Sequence, residues 1–596
     1  MKNLKDEATT YFVATTALED FWDKSKPIIF LGEWCMRHSR KEGWENLDHK
    51  VVTNMWEDVN KHREAFYYIL DLYERVLDSL GNSLNTLHGV NYSNRYWRIL
   101  LGPWLYHYLS STYDRFLSIK MIMTDYGQFE TMGLKEESFF VPEDTIEFIS
   151  LINDDPYNLQ FYTKIMTFFN IKFEKKYLDI TPEQIGYSGP ITLKKKFSDK
   201  INEVLKSIVR LVSNKNSILM TLSNFRRNNI LKMTIGSCGK ILPFEFNNSK
   251  KIGFMPVNQE SRLVVKNFFN INSNNEFEIF LSTVIANDIP KCFIEGYNEI
   301  KRGVEKNYPL NIKALFTVYG WYFDETFKQW AGMLTERGVH LLGAQHGGNY
   351  GVEEFFFFDR HETKISDRFY SWGWDRFTNT ANIVPMPAPK LVDRNKIEAH
   401  NNFEGILYTT TSITRYLVRF QEPKSFSDNY ENWQKRFVCT ISSNIRERIR
   451  IRLHGEMFGR DYDMKWKELK YGHLIESYDS ISFLESMTQC RIYVCDHLST
   501  TFLEALSANK PTILFWDPEM FVLNSEAEVD YSELRRMGIL YYTPEEAAVA
   551  INRIYPNVEE WWNDNERQEV IINFCKKYVL VSDSALNQWL RELKKI

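Results

Sequence analysis

NIKALFTVYGWYFDETFKQWAGMLTERGVHLLGAQHGG, residues 311–348, decides the fold. NIKALFTVYG (311–320) is a short apolar run of strand character. DETFKQWAGMLTERG (324–338) has helical spacing and ends on Gly338, a fitting C-cap. VHLLGAQHGG (339–348) is a second apolar run that breaks into a glycine-rich loop. Strand, helix and strand over roughly thirty residues make a βαβ unit, which implies a parallel sheet. His346 then lies at the carboxyl end of a strand, where open α/β sheets bind ligands. Gly347 and Gly348 allow backbone N–H groups to approach a ligand closely. Gln345 offers both a donor and an acceptor.

The same rhythm appears on either side. TYFVATT (10–16) and KPIIFLG (26–32) read as strands. Two long helices follow, over AFYYILDLYERVLDSL (65–80) and RYWRILLGPWLYHYLSSTYDRFLSI (95–119), with Pro103 a candidate kink or break and HGVNYS (88–93) the turn between them. Residues 130–310 read as a helical elaboration, with helical stretches at 201–213, 215–224 and 289–306. NIVPMPAPKLVDRN (382–395) is proline-rich and then charged. A second α/β unit follows, with strands in FEGILYTTTS (403–412), IRIRLHG (449–455), YGHLIESYD (471–479), RIYVCDHLST (491–500) and PTILFWD (511–517). The expected organisation is an α/β domain with helical insertions at 1–385, a linker at 386–402 and a second α/β domain at 403–596. The last helix, near 577–596, can pack on either. Two such domains enclose a cleft at the carboxyl ends of their strands.

Composition narrows the function. With 596 residues, 44% hydrophobic and 25% charged, the chain is an ordinary globular protein with ample core. A net charge of −5 argues against a nucleic-acid binder. The seven cysteines are widely spaced without a CxxC pair, as expected of free thiols in a reducing cytoplasm. No apolar run suits a signal peptide or a membrane span. A cytoplasmic protein is expected, with a peripheral visit to the inner face of the membrane left open.

Polar residues cluster at the strand ends. In CDHLSTTFLEALSANKPTILF (495–515), Ser499, Thr500 and Thr501 lie between a strand and a helix. Their hydroxyls and the exposed N–H groups suit a phosphate, although plain N-capping explains them equally well. Glu504 follows on that helix, placed to accept from a ribose or to favour the helix start. Arg452 and His454 end one strand; Thr409, Thr410, Thr411 and Ser412 end another. For a base or nucleophile, Asp324 and Glu325 are preferred, with Glu19, Asp20 and Glu33 as competitors. Asn91, Arg95 and Arg98 could reach an acceptor or lie on a solvated face. There is no HExxH and no paired Cys/His spacing, so neither a metal nor another cofactor is expected.

The run STTFLEALSANKPTI, preceded by a strand ending RLHG, resembles the nucleotide-binding half of GT-B glycosyltransferases, especially those using CMP-activated sugars such as Kdo and sialic acids. The resemblance implies that His454, Ser499 and Thr500 hold the CMP phosphate, although Gly455 stands where those enzymes carry proline. Over nearly its full length the chain is similar to transferases of bacterial O-antigen and surface-carbohydrate gene clusters. The segments are FVATTALEDFWDKSKPIIFLGEWC, HGVNYSNRYWRILLGPWL, YFDETFKQWA, GAQHGGNYG, ISDRFYSWGW and STTFLEALSANKPTI. That resemblance implies two Rossmann-like domains facing a cleft and transfer of a nonulosonic acid from a CMP-linked donor. Gln345, Gly347, Gly348, Ser412, Arg452, His454, Ser499, Thr500, Thr501 and Glu504 would meet the donor. His346 with Asp324 or Glu325 would act chemically, and Asn91 and Arg95 would meet a glycan or lipid-linked acceptor. A CDP-glycerol-type polymer transferase, a UDP-sugar epimerase and a non-catalytic glycan-binding scaffold are the rivals.

Overall fold

The computed structural model describes residues 11–179, 206–244, 256–375, 382–393, 404–421, 428–455, 459–476 and 481–596. Among them the strands form four sheets, and every strand pairing is parallel. The first sheet holds β1 (Phe12–Ala14), β2 (Ile28–Phe30) and β3 (His49–Val51). A two-stranded sheet pairs β4 (Met132–Leu134) with β5 (Glu174–Lys176).

The first large sheet is built from β6 (Ile218–Met220), β7 (Ile241–Pro243), β8 (Ala314–Thr317), β9 (His340–Ala344), β10 (Arg368–Ser371) and β11 (Asn382–Pro385), in the order β7-β6-β8-β9-β10-β11. The second contains β12 (Ile406–Thr409), β13 (Ile449–Arg452), β14 (Ile492–Cys495), β15 (Thr512–Phe515) and β16 (Leu540–Tyr541), in the order β13-β12-β14-β15-β16. In both, the first strand separates the second from the third, so the winding reverses there. Loops leaving the two strands at that point diverge and open a crevice. Strands β6, β8, β12, β14 and β15 are buried along their whole length, as parallel strands covered on both faces must be.

The two long helices run Val59–His88 and Asn94–Tyr126. Asp58 caps the first by accepting from two backbone N–H groups, and Gly89 ends it at φ +61°. The second continues through Pro103 without a break. Burial on most sides, by Trp104, Leu105, Tyr108 and their neighbours, offsets the lost hydrogen bond.

Several expectations need correction. Residues 215–224 hold strand β6 at the reversal point, not a helix. YGHLIESYD contributes a short 3-10 turn (Gly472–Leu474) and one isolated bridge, Ile475 to Ile451, and no sheet strand; 477–479 lie outside the described residues. Residues 386–393 of the expected linker are packed down, with Met386, Ala388, Leu391 and Val392 buried, while 394–402 lie outside the described residues. Of the helical stretch 201–213, the described part begins at 206. The final helix, Ala585–Lys594, packs on the first large sheet: Trp589 is buried against Phe225, Phe316 and Tyr370, and its Nε1–H donates to the Pro387 carbonyl at 2.9 Å.

The carboxyl ends of the two large sheets face one another, joined by the contacts described below. Two Rossmann-like sheets about a cleft, with helical elaboration in the N-terminal half and a returning last helix, are the GT-B arrangement. All seven cysteines are unpaired. Among the described residues no helix is long and apolar enough to cross a membrane.

Candidate functional site

The loop after β9 touches the turn after β14. Gly348 N–H donates to Thr500 Oγ1 at 3.0 Å. A Cβ at Gly348 would stand 2.3 Å from the Ser499 carbonyl oxygen, so only glycine allows this approach. Beside this contact Lys390 forms an ion pair with Glu504. Two further connections hold the halves in register. Segment 351–354 pairs with 522–524, where Glu354 N–H donates to Val522 O at 2.9 Å and Asn524 N–H to Val352 O at 2.8 Å. The loop after β12 reaches the other sheets: Arg415 binds the Trp34 carbonyl after β2 at 2.7 Å and Asp155 at 2.6 Å, and Arg419 reaches the Tyr322 hydroxyl at 3.4 Å. Carboxyl ends of three sheets therefore converge on residues 409–421.

His346 is backed by a polar chain. Its Nδ1 lies 2.7 Å from the Tyr350 hydroxyl, which donates to Glu362 Oε1 at 2.8 Å. Glu362 is fully buried on the helix Phe357–Ile365, while a third (33%) of the His346 side chain stays exposed. Burial lowers the His346 pKa to about 4; the charge of Lys390 adds to the effect and the Val318 carbonyl opposes it. The ring is therefore neutral at pH 7. Burial also raises the Glu362 carboxyl well above its ordinary range, with Asp359 adding to the rise and the Tyr350 hydroxyl opposing it.

Across the cleft, hydroxyls link the ends of β12 and β14. Thr409 Oγ1 lies 2.6 Å from the Tyr493 hydroxyl, Tyr493 donates to Thr501 Oγ1 at 2.8 Å, and Thr501 Oγ1 is 2.8 Å from Ser499 Oγ. The helix Thr500–Ser507 starts at this string and directs its N-terminal N–H groups towards it. Ser412 Oγ is buried without a hydrogen-bond partner. Phosphate oxygens are the kind of acceptor that such a set of donors suits.

The other sequence-predicted residues are placed differently. Asp324 caps the helix Glu325–Thr335 by accepting from Phe327 N–H at 2.9 Å; burial raises its pKa to about 6, against the Phe327 hydrogen bond. Glu325 is buried on Lys328 Nζ at 2.7 Å and Thr145 N–H at 3.2 Å. Neither carboxylate contacts His346, and the helical layer explains both. Gln345 works inside its loop: Oε1 accepts from Trp372 N–H at 2.8 Å and Trp374 Nε1–H at 2.7 Å, and Nε2 donates to the Gly347 carbonyl. Arg452 is engaged by Glu476, and Glu504 by Lys390. His454 lies exposed just beyond β13.

Arg95 binds Asp367, immediately before β10, and the Ile365 carbonyl. The 88–93 turn, which carries Asn91, is tied by Ser93 to Glu336 at the end of the helix Glu325–Thr335. Both residues sit at the amino edge of the sheet, opposite His346. Arg98 pairs with Glu74 on the neighbouring long helix. Glu19 pairs with Lys24 at 2.7 Å, and Glu33 is half-buried beside Trp34.

The sequence reading missed Tyr350, Glu362, Lys390, Arg419, Asp496 and His497. Tyr350 lies within GAQHGGNYG, and Asp496 and His497 directly precede the hydroxyl turn, so adjacency was an available signal. Nothing local marks Glu362. A cavity of about 560 Å³ opens in the helical layer among Phe139, Phe140, Gln160, Phe168, Arg262 and Asn287, and none of the predicted site residues lines it. No group of three or more His, Cys, Asp or Glu among the described residues is arranged to hold a metal ion.

Facing parallel sheets with a hydroxyl-rich turn and a histidine loop in contact define a two-domain α/β protein with a polar cleft. The chain belongs to the LIC12162 family of transferases, whose profile it matches over residues 11–593. No curated protein matches the chain. Among solved structures it is similar to MurG of Acinetobacter baumannii, at 10% identity and a TM-score of 0.30, covering 64% of this chain and 100% of that one. It is similar to WaaG, a glycosyltransferase involved in lipopolysaccharide biosynthesis, at 9% identity and a TM-score of 0.29, covering 63% and 99%. The spinosyn forosaminyltransferase SpnP matches at 9% identity and a TM-score of 0.29, covering 64% and 98%.

Proposed function

We propose that the chain is a glycosyltransferase that moves a nonulosonic acid, or a closely related sugar, from a CMP-activated donor to a hydroxyl of a bacterial surface glycan such as an O-antigen or capsule. A lipid-linked acceptor places the work at the inner face of the cytoplasmic membrane. The observation that carries the reading is the bond from Gly348 N–H to Thr500 Oγ1 at 3.0 Å, which puts a neutral histidine loop against a phosphate-ready turn.

The donor phosphate is held by Ser499, Thr501 and the first N–H groups of the helix Thr500–Ser507. These supply partial positive charge where negative charge grows on the leaving group. The acceptor oxygen attacks the anomeric carbon, the bond from that carbon to the phosphate oxygen breaks, and CMP leaves. His346 takes the acceptor's proton, and Tyr350 with Glu362 holds the ring in place as it becomes charged. With His346 as the base, transfer is a single displacement with inversion. Because hydroxyls and a helix start receive the phosphate, transfer is proposed to proceed without a metal ion, and a chelator should leave the rate unchanged.

Thermal-shift titration with CMP, CDP, UDP and GDP tests the reading, since a ligand that binds only the folded state raises its stability by mass action. Selective stabilisation by CMP, lost in Ser499→Ala, is expected. A response to UDP or GDP alone would remove the donor assignment. Preference for CDP-glycerol over CMP-sugars would select the polymer-transferase reading, and silence towards every nucleotide would favour a non-catalytic binder.

A further inference from the structure

Asp496 and His497 follow β14 and lead into the hydroxyl turn. The Asp496 carboxylate is fully occupied. It accepts from the Tyr408 hydroxyl at 2.7 Å, the Tyr430 hydroxyl at 2.8 Å and Gln434 Nε2 at 3.2 Å, and His497 Nδ1 lies 2.9 Å away. A carboxylate with four such neighbours is fixed in position, and it fixes the ring that shares it. His497 itself is 8% exposed. Cys495 Sγ lies 3.5 Å from both His497 Nδ1 and Ser499 Oγ, which places the imidazole next to the hydroxyl string. With Nδ1 engaged, Nε2 has no hydrogen-bond partner among the described residues. Ser412 Oγ, on the loop of the adjacent strand β12, is buried without a partner. β12 and β14 flank the reversal point of the second large sheet, where its crevice opens.

We propose that His497 is the cationic anchor of the nucleotide-phosphate site: an imidazolium fixed by Asp496 whose Nε2–H donates to a phosphate oxygen already held by Ser499 and the start of the helix Thr500–Ser507, with Ser412 completing the donor set. The inference rests on the donor reading above and assigns the residue that gives that site its charge. Burial works against a charged ring, but the Cys495 sulfur and the Asp496 carboxylate outweigh it and raise the His497 pKa to about 10. Neutral hydroxyls and a helix N-terminus contribute only partial charges, so one full charge matters most for a doubly charged phosphate. Arg452 is committed to Glu476 and Lys390 to Glu504.

Calorimetric titration of the intact protein with CMP, cytidine and inorganic phosphate tests it. His497→Asn keeps an amide donor at the Nδ1 position for Asp496 and removes Nε2; His497→Gln keeps a neutral donor near Nε2. Loss of a charge-assisted hydrogen bond predicts a CMP affinity weakened roughly tenfold to a hundredfold in His497→Asn, with a smaller loss in His497→Gln. Cytidine, which carries no phosphate, should bind all three proteins alike. Equal CMP affinity in wild type and a folded His497→Asn protein overturns the anchor while leaving the donor reading intact. If wild type shows no preference for CMP over UDP or GDP, yet His497→Asn weakens all three, the anchor stands and the donor assignment falls. If wild type binds neither nucleotide nor phosphate, both fall.

Discussion

Two histidines stand at the carboxyl ends of the two large sheets, and their surroundings drive them apart. His346 is partly buried beside Lys390 and its pKa falls to about 4. His497 lies against Cys495 and is hydrogen-bonded to Asp496, and its pKa rises to about 10. One ring is therefore a neutral acceptor at pH 7 and the other a cation. A transferase needs both: a base on the acceptor side and a charge on the leaving-group side. Similar strand-end loops acquire opposite protonation because burial, helped by Lys390, prevails at His346, whereas the Cys495 sulfur and the Asp496 carboxylate outweigh it at His497.

The largest effect expected is on turnover. His346→Ala should lower kcat by about 10²–10⁴-fold, the usual worth of a general base, with CMP affinity little changed. His497→Asn should instead act mainly on donor binding. Loss of CMP affinity in His346→Ala with kcat preserved would reverse the two assignments.

The pH profile sharpens the same contrast. The acid limb of kcat/KM should lie near the His346 value of about 4, below the range of an ordinary histidine. Stability follows the same sign. His88 is lowered to about 4, and His107 and His361 to about 3, all by burial first. The unfolded chain takes up these protons at about pH 6.5, before the folded protein does, so melting temperature should fall as the pH drops from about 6.5 towards 3. His497 works the other way: its contribution is complete below about pH 6.5 and is lost as the pH rises through about 10. A melting temperature flat from pH 7 to pH 4 would contradict the buried neutral histidines.

Gly348→Ala tests the contact between the two loops. The new Cβ would stand 2.3 Å from the Ser499 carbonyl, so the halves must shift, at a cost of about 1–3 kcal/mol in denaturant unfolding. CMP affinity should fall with it. The smallest effect belongs to the opposite edge of the sheet. Arg95→Ala removes a partly exposed ion pair with Asp367, so chemical unfolding should register about 1 kcal/mol or less and the acceptor KM should not change.

Much of the fold was legible because its strands are short apolar runs ending in small or polar residues. The βαβ unit at 311–348, the strand ends near Thr409 and Ser499, and the contrast between helical and α/β segments all follow from that pattern. Strand β6 was not legible: Ile218, Leu219 and Met220 span too few residues to show a period, and only their partners β7 and β8 make them a strand. In the site, His346, Gly348, Ser499 and Thr501 were marked by composition and placed together by the fold. Asp324 and Glu325 could not be placed from sequence, because a carboxylate after a strand serves equally well as a base, a helix cap or an ion-pair partner. Asn91 and Arg95 could not be placed from sequence, because a polar turn does not reveal which end of a sheet it occupies. Glu362 belongs to the site only through tertiary contact with Tyr350.

The central claim is that a nucleotide phosphate lies between the two loops, with one histidine on each side. A structure of the protein with CMP bound tests it most directly. The phosphate is expected on Ser499, Thr501 and His497, its far side open towards His346. CMP bound elsewhere, for instance in the cavity lined by Phe139 and Arg262, would contradict it.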